Sequence, residues 1–165
     1  MTLKSFFHSS KRRVLGAVVL AALFSTGVVT AAAQAKHIYP AIEAAPADIK
    51  AALAEARRTH RRVLVDFGGD WCGDCQVLDI YFHKSPNDEL LAKNFVKVNI
   101  NIGDQIDANL DIGEKYGVVL KKGVPALAVL DDHGNVIFAQ KTGEFENMRH
   151  LQSSDLTAFL NKWKR

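Results

Sequence analysis

Val63-Leu-Val-Asp-Phe-Gly-Gly-Asp-Trp-Cys-Gly-Asp-Cys75 is an apolar run that ends in the two cysteines of a 165-residue chain. Residues 62–67 are broken only by Asp66 and read as a short strand covered on both faces. Val77, Leu78, Tyr81 and Phe82 then follow at helical spacing, so the cysteines fall where a helix opens. With a rise of ~1.5 Å per residue and most of a turn of rotation, their Cα atoms come to roughly 5 Å apart, within the reach of a disulfide. The pair is expected to close and open with little backbone movement. The unsatisfied N–H groups and dipole of a helix start favour an anion at Cys72 by up to ~2 kcal/mol, or about 1.5 pKa units. That moves a free-thiol value of about 8.5 towards 7. Cys72 is therefore expected to be the accessible attacking thiolate and Cys75, one turn deeper, the resolving thiol.

Other fates for such a pair fit less well. A structural staple stabilises by closing a long loop, and this one closes almost nothing. A zinc site would have to recruit histidines such as His83 or His133, which lack companion spacing. Haem attachment needs histidine after the second cysteine, where the chain has Gln76. Asp104, Asp107 and Asp111 lack the glycine and terminal glutamate of a calcium loop and read as a solvated face.

Lys11, Arg12 and Arg13 precede an apolar run, and Ala33-Gln34-Ala35 supplies an A-x-A cleavage site. Residues 1–35 thus read as a secretory signal peptide, with residues 36–165 as a single mature domain in the periplasm or outside the cell. An uncleaved membrane anchor is the competing reading, because residues 14–33 are long enough to span a bilayer. The signal holds four of the 21 basic residues and no acid, so the rest carries 17 against 18 acidic residues. That balance gives no reason to expect nucleic acid as a partner. The cluster Arg57-Arg58-Thr59-His60-Arg61-Arg62 reads as the solvated end of a helix.

In the mature part, Pro46 opens a helix that places Ile49, Ala52, Leu53 and Ala56 on one face. After the cysteine helix come a short helix through Leu90 and Leu91, a strand at 95–100, and a helix at 107–116 interrupted by Gly113. A strand at 126–130 and a hairpin turn at 131–135 lead to a strand at 136–141. A closing helix capped by Ser154 points Leu156, Phe159, Leu160 and Trp163 inward. The order is α-β-α-β-α-β-β-α.

This order and the motif Trp71-Cys72-Gly73-Asp74-Cys75 resemble the thioredoxin superfamily over roughly residues 63–163, with Asp74 where thioredoxins usually carry proline. Asp66 stands where the family has a buried carboxylate, and Lys97 where it has a nearby lysine. Gly123-Val124-Pro125 is similar to the family's cis-proline loop, and Gly143 to the glycine after its last strand. Among family members the chain most resembles the C-terminal domain of inner-membrane thiol:disulfide interchange reductases. The resemblance implies an α/β thioredoxin-like fold, a central mixed β-sheet flanked by helices, and protein thiol–disulfide exchange with Cys72–Cys75 as the redox-active disulfide. It implies no metal or organic cofactor, protein thiol or disulfide substrates, an upstream redox partner and a monomer without stable membrane insertion.

The implied roles are specific. Asp66 relays a proton to Cys75, or else pairs with Lys97 as a partly wet carboxylate. Pro125 holds Val124 extended so that its N–H and C=O can meet a substrate strand. Trp71 shields the sulfurs or contacts substrate. The Asp74 carboxylate in the Gly73-Asp74 dipeptide opposes thiolate formation, which favours a reductase or electron carrier over an oxidant. A non-catalytic binding module that uses the Pro125 groove is the reading from another class, and a peroxide-reducing enzyme is disfavoured because no separate peroxidatic site is visible.

Overall fold

Two strands from distant parts of the chain pair with the strand that carries Asp66. In the computed structural model, which describes residues 37–165, β1 (Arg62–Gly68) pairs parallel with β2 (Phe95–Asn101) and antiparallel with β3 (Ala126–Leu130). β4 (Val136–Ala139) pairs antiparallel with β3, giving the order β2-β1-β3-β4. The helices are α1 (Ala45–Thr59), α2 (Gly73–Phe82), α3 (Asn87–Asn94), α4 (Leu110–Lys115) and α5 (Ser153–Trp163). This is the expected mixed sheet flanked by helices. The proposed signal peptide lies outside the described residues.

Alternation along β1 splits the core into two layers. Val63, Val65 and Phe67 pack with Ile49, Ala52 and Ala56 of α1, whereas Leu64 packs with Leu78 and Phe82 of α2 and Leu156 and Leu160 of α5. Asp66 shares the parity of Leu64, so the strand's one acidic side chain points towards the α2 layer. β1 is buried throughout apart from Arg62, as a central strand should be.

Several local expectations change. α5 is capped by Gln152, not Ser154: the Gln152 N–H donates to Asp155 Oδ2 at 2.7 Å within a capping box. Expected helix 107–116 shortens to α4, because Asn109 takes a left-handed conformation (φ 55°) to donate its Nδ2 to the Asn101 carbonyl at 2.7 Å. β4 stops at Ala139, and the Gln140 side chain turns in to bond Leu127 and the Pro125 carbonyl. The arginine cluster does more than face solvent. Arg61 caps the Ala92 and Phe95 carbonyls, and Arg62 Nη1 donates to the Trp163 carbonyl at 2.6 Å. The segment after β2 belongs to the core through buried Ile102, Ile112, Tyr116, Val118 and Leu120, while Asp104, Asp107 and Asp111 are exposed as expected.

Candidate active site

β1 and α2 meet at the cysteines. Cys72 is the N-cap of α2, in extended backbone (φ −82°, ψ 111°), and its Sγ accepts the Cys75 N–H at 3.1 Å. A sulfur there satisfies one of the orphan donors of the helix start and lies at the positive end of its dipole. Cys72 and Cys75 are joined as a disulfide with Cα atoms 5.2 Å apart, close to the separation their spacing predicts. Cys75 is fully buried and Cys72 keeps 5% exposure, so of the two only Cys72 retains surface. This is less than the open thiolate the sequence leads one to expect. The N-cap position folds the side chain back over the first turn, and the Val124 carbonyl oxygen lies 3.6 Å from its sulfur.

The Val124–Pro125 bond is cis. Trp71 is 49% exposed rather than packed away, with its Nε1 donating to the Gly103 carbonyl at 2.7 Å. The ring therefore stands at the surface, one residue before Cys72. Gly73, at the first helical position, has open space where a side chain would project.

Asp66 is 1% exposed. Burial pushes its carboxyl pKa up, against the opposing pull of Lys97 and of the Tyr39 hydroxyl. Tyr39 Oη donates to Oδ1 at 3.0 Å, and Lys97 Nζ lies 3.4 Å from Oδ2, which has no hydrogen bond of its own. Lys97 is held over the Phe82 ring and also donates to Asn99. The sequence sets a relay against a Lys97 pair. The structure contains the pair, but the carboxylate is buried rather than partly exposed.

Asp74 is compensated. Arg149 donates from Nη2 to Oδ2 at 2.9 Å, and from Nε and its backbone N–H to Oδ1 at 3.1 and 3.2 Å. Burial alone would raise the Asp74 pKa, but these bonds and the guanidinium charge overcome it and hold the carboxyl below the ordinary range. Asp74 is therefore not the bare charge that its place in the motif leads one to expect, because a residue 75 positions away pairs with it.

Sequence reasoning missed Tyr39, Asp70 and Arg149. Asp70 accepts the Ile38 and Tyr39 N–H groups at 2.8 and 3.1 Å and pairs with His37. The one available signal was the apolar setting of Asp66, which demands a hydroxyl or amide donor from elsewhere in the chain. Arg149 lies in a 3-10 turn (Met148–His150) with no periodic pattern to mark it. Among the described residues Asp131, Asp132 and His133 bring metal-ligand atoms together, yet Asp131 closes the hairpin turn through Asn135 and Asp132 pairs with Arg165.

A family model described as thioredoxin-like matches residues 43–132, more than half of the chain. The chain belongs to the thioredoxin-like family. It is 35% identical to a thioredoxin of Pseudomonas aeruginosa over 99 residues, covering 60% of this chain and 76% of that protein. It is 25% identical over 120 residues to thiol:disulfide interchange protein DsbD 1 of the same organism, covering 73% of this chain but only 18% of the larger protein. Among solved structures, the crystal structure of a disulphide isomerase from Xylella fastidiosa Temecula1 superposes with a TM-score of 0.72 at 35% identity, covering 77% of this chain and 96% of that one. This thioredoxin-like chain therefore carries the cysteine pair of a disulfide oxidoreductase on the matching fold.

Proposed function

We propose that the protein is an exported thiol–disulfide oxidoreductase that reduces protein disulfides or passes electrons to them. The observation that carries this reading is the Cys72–Cys75 disulfide at the start of α2, with surface left only on Cys72 and a buried carboxylate on the preceding strand. In the reduced protein the Cys72 thiolate attacks a client disulfide, forms a mixed disulfide and expels one client thiolate. Cys75 then attacks Cys72 Sγ, the second client sulfur leaves, and the pair is oxidised by two electrons as the client is reduced by two. The pair is itself the redox group, so the reaction needs no metal or organic cofactor. Asp66 takes the Cys75 proton, Lys97 limits how far burial raises that carboxyl, and Val124 and Trp71 meet the client beside the sulfur.

The reducing direction is supported by the surroundings of Cys72 Sγ. Its polar neighbours are the Cys75 N–H donor and the Val124 carbonyl oxygen, and no cationic side chain bonds it among the described residues. A strong oxidant needs a heavily stabilised thiolate. Export is supported by the basic, apolar and A-x-A order of residues 1–35, and the client class by the likeness to a protein named for thiol:disulfide interchange. An upstream redox protein returns two electrons to the Cys72–Cys75 disulfide after each client is reduced.

Equilibration with glutathione buffers tests the direction. The expected potential lies below that of protein disulfide isomerase, about −180 mV; a value well above it would overturn the reductase reading.

A further inference from the structure

We infer that the Tyr39 hydroxyl carries the Cys75 proton to Asp66 when the mixed disulfide is resolved. This rests on the exchange reading above and adds to it a group from outside the strand–helix motif.

Three observations converge. Tyr39 Oη donates to Asp66 Oδ1 at 3.0 Å, and the residue is 3% exposed. A methyl group placed on Gly68 would collide with the Tyr39 hydroxyl and stand 2.8 Å from Cys75 Sγ, so hydroxyl and sulfur approach the same point above β1. The segment is fixed rather than draped: Asp70 accepts the Ile38 and Tyr39 N–H groups, while Asn99 and Asn101 donate to the Ile38 and Pro40 carbonyls at 2.7 and 2.9 Å. A hydroxyl has one proton to give and lone pairs to receive another. It can therefore accept from the Cys75 thiol while it donates to the carboxylate.

The step balances. The Cys75 S–H bond breaks as its proton passes to Tyr39 Oη, and the Tyr39 O–H proton passes to Asp66 Oδ1. The freed sulfur pair bonds to Cys72 Sγ, and the pair of the Cys72–client bond leaves with the client sulfur, which takes its proton from solvent. Burial and the Asp66, Asp79 and Asp70 charges push the Tyr39 pKa far up, so it stays a phenol and hands on one proton as it receives another. The charged groups facing the Asp66–Tyr39 pair are Lys97, Asp79, which His83 approaches at 3.7 Å, and Asp70 with its His37 partner.

The test is rapid-mixing kinetics on the full-length mature protein with a small disulfide substrate, reading formation and resolution of the mixed disulfide separately across pH. For Tyr39→Phe, formation should keep its rate and pH profile. Resolution should slow at least about tenfold near neutral pH, and its pH midpoint should move towards the free-thiol value of about 8.5. An unchanged resolution profile, or an equal slowing of both steps, overturns the proposal. A solvent deuterium proton inventory on the wild type provides a measurement that needs no variant: a curved plot for resolution supports two protons in flight, and a linear one overturns it. If the wild type forms no mixed disulfide, the exchange reading falls and the relay with it, an outcome distinct from a Tyr39→Phe profile that matches the wild type.

Discussion

Arg149 pairs with Asp74 two residues after Cys72, so it is expected to set how much of that charge the sulfur feels. Its guanidinium holds both carboxylate oxygens, but it is largely exposed, so solvent and salt screen the pair. Arg149→Ala should raise the Cys72 thiol pKa towards the free value of about 8.5, while Asp74→Asn should lower it; thiolate absorbance against pH in the reduced protein reads both. No change in either variant would remove this pair from the control of reactivity. Asp66 makes a prediction of the opposite kind. Its folded pKa is raised above the ordinary 3.8, so the folded state binds more protons than the unfolded one and stability falls as pH rises through the folded pKa. Asp66→Asn should raise the melting temperature at neutral pH, with the difference closing as pH falls towards 4. Lys97 keeps the Asn99 oxygen as acceptor in that variant. The same substitution should slow resolution of the mixed disulfide by about 100-fold near neutral pH. Asp66 could be picked out in the sequence because a lone charge in an apolar strand is conspicuous. Tyr39 and Arg149 could not, because their partners lie 27 and 75 residues away and no local spacing encodes such contacts.

The strand–turn–helix unit tolerates change unevenly along its length. At Gly73 a side chain meets nothing within 4 Å, and alanine suits a helix start better than glycine, so Gly73→Ala should keep full stability. At Gly68 the added methyl runs into Tyr39 and Cys75, and overpacking of that kind costs about 1–3 kcal/mol; Gly68→Ala should lower the denaturation midpoint accordingly. At α5, Asp155→Ala removes half of the capping box and should lower the melting temperature by about 2–4 °C. The helices and strands with clear periodicity were legible within a residue or two: β1, α2, β3 and α5 lie where the apolar pattern puts them. The ends were less so. α4 is clipped by a side-chain bond from Asn109, and the α5 cap falls on Gln152 because Asp155, three residues on, completes the box.

At the scale of the whole molecule, two core layers on one twisted sheet bring four separate stretches to a single point: the 37–41 segment, the end of β1, the start of α2 and the Val124–Pro125 bond. The motif and its order predicted three of these. The fourth arrives through Asp70, Asn99 and Asn101, whose side chains bond backbone that has no pattern of its own. The account stands on Cys72 as the attacking sulfur and Cys75 as the one that releases the client. Incubating the reduced Cys75→Ser variant with insulin and weighing the products by mass spectrometry tests this most directly. A stable covalent adduct through Cys72 is predicted; no adduct, or an adduct through Cys75 in the Cys72→Ser variant, would contradict it.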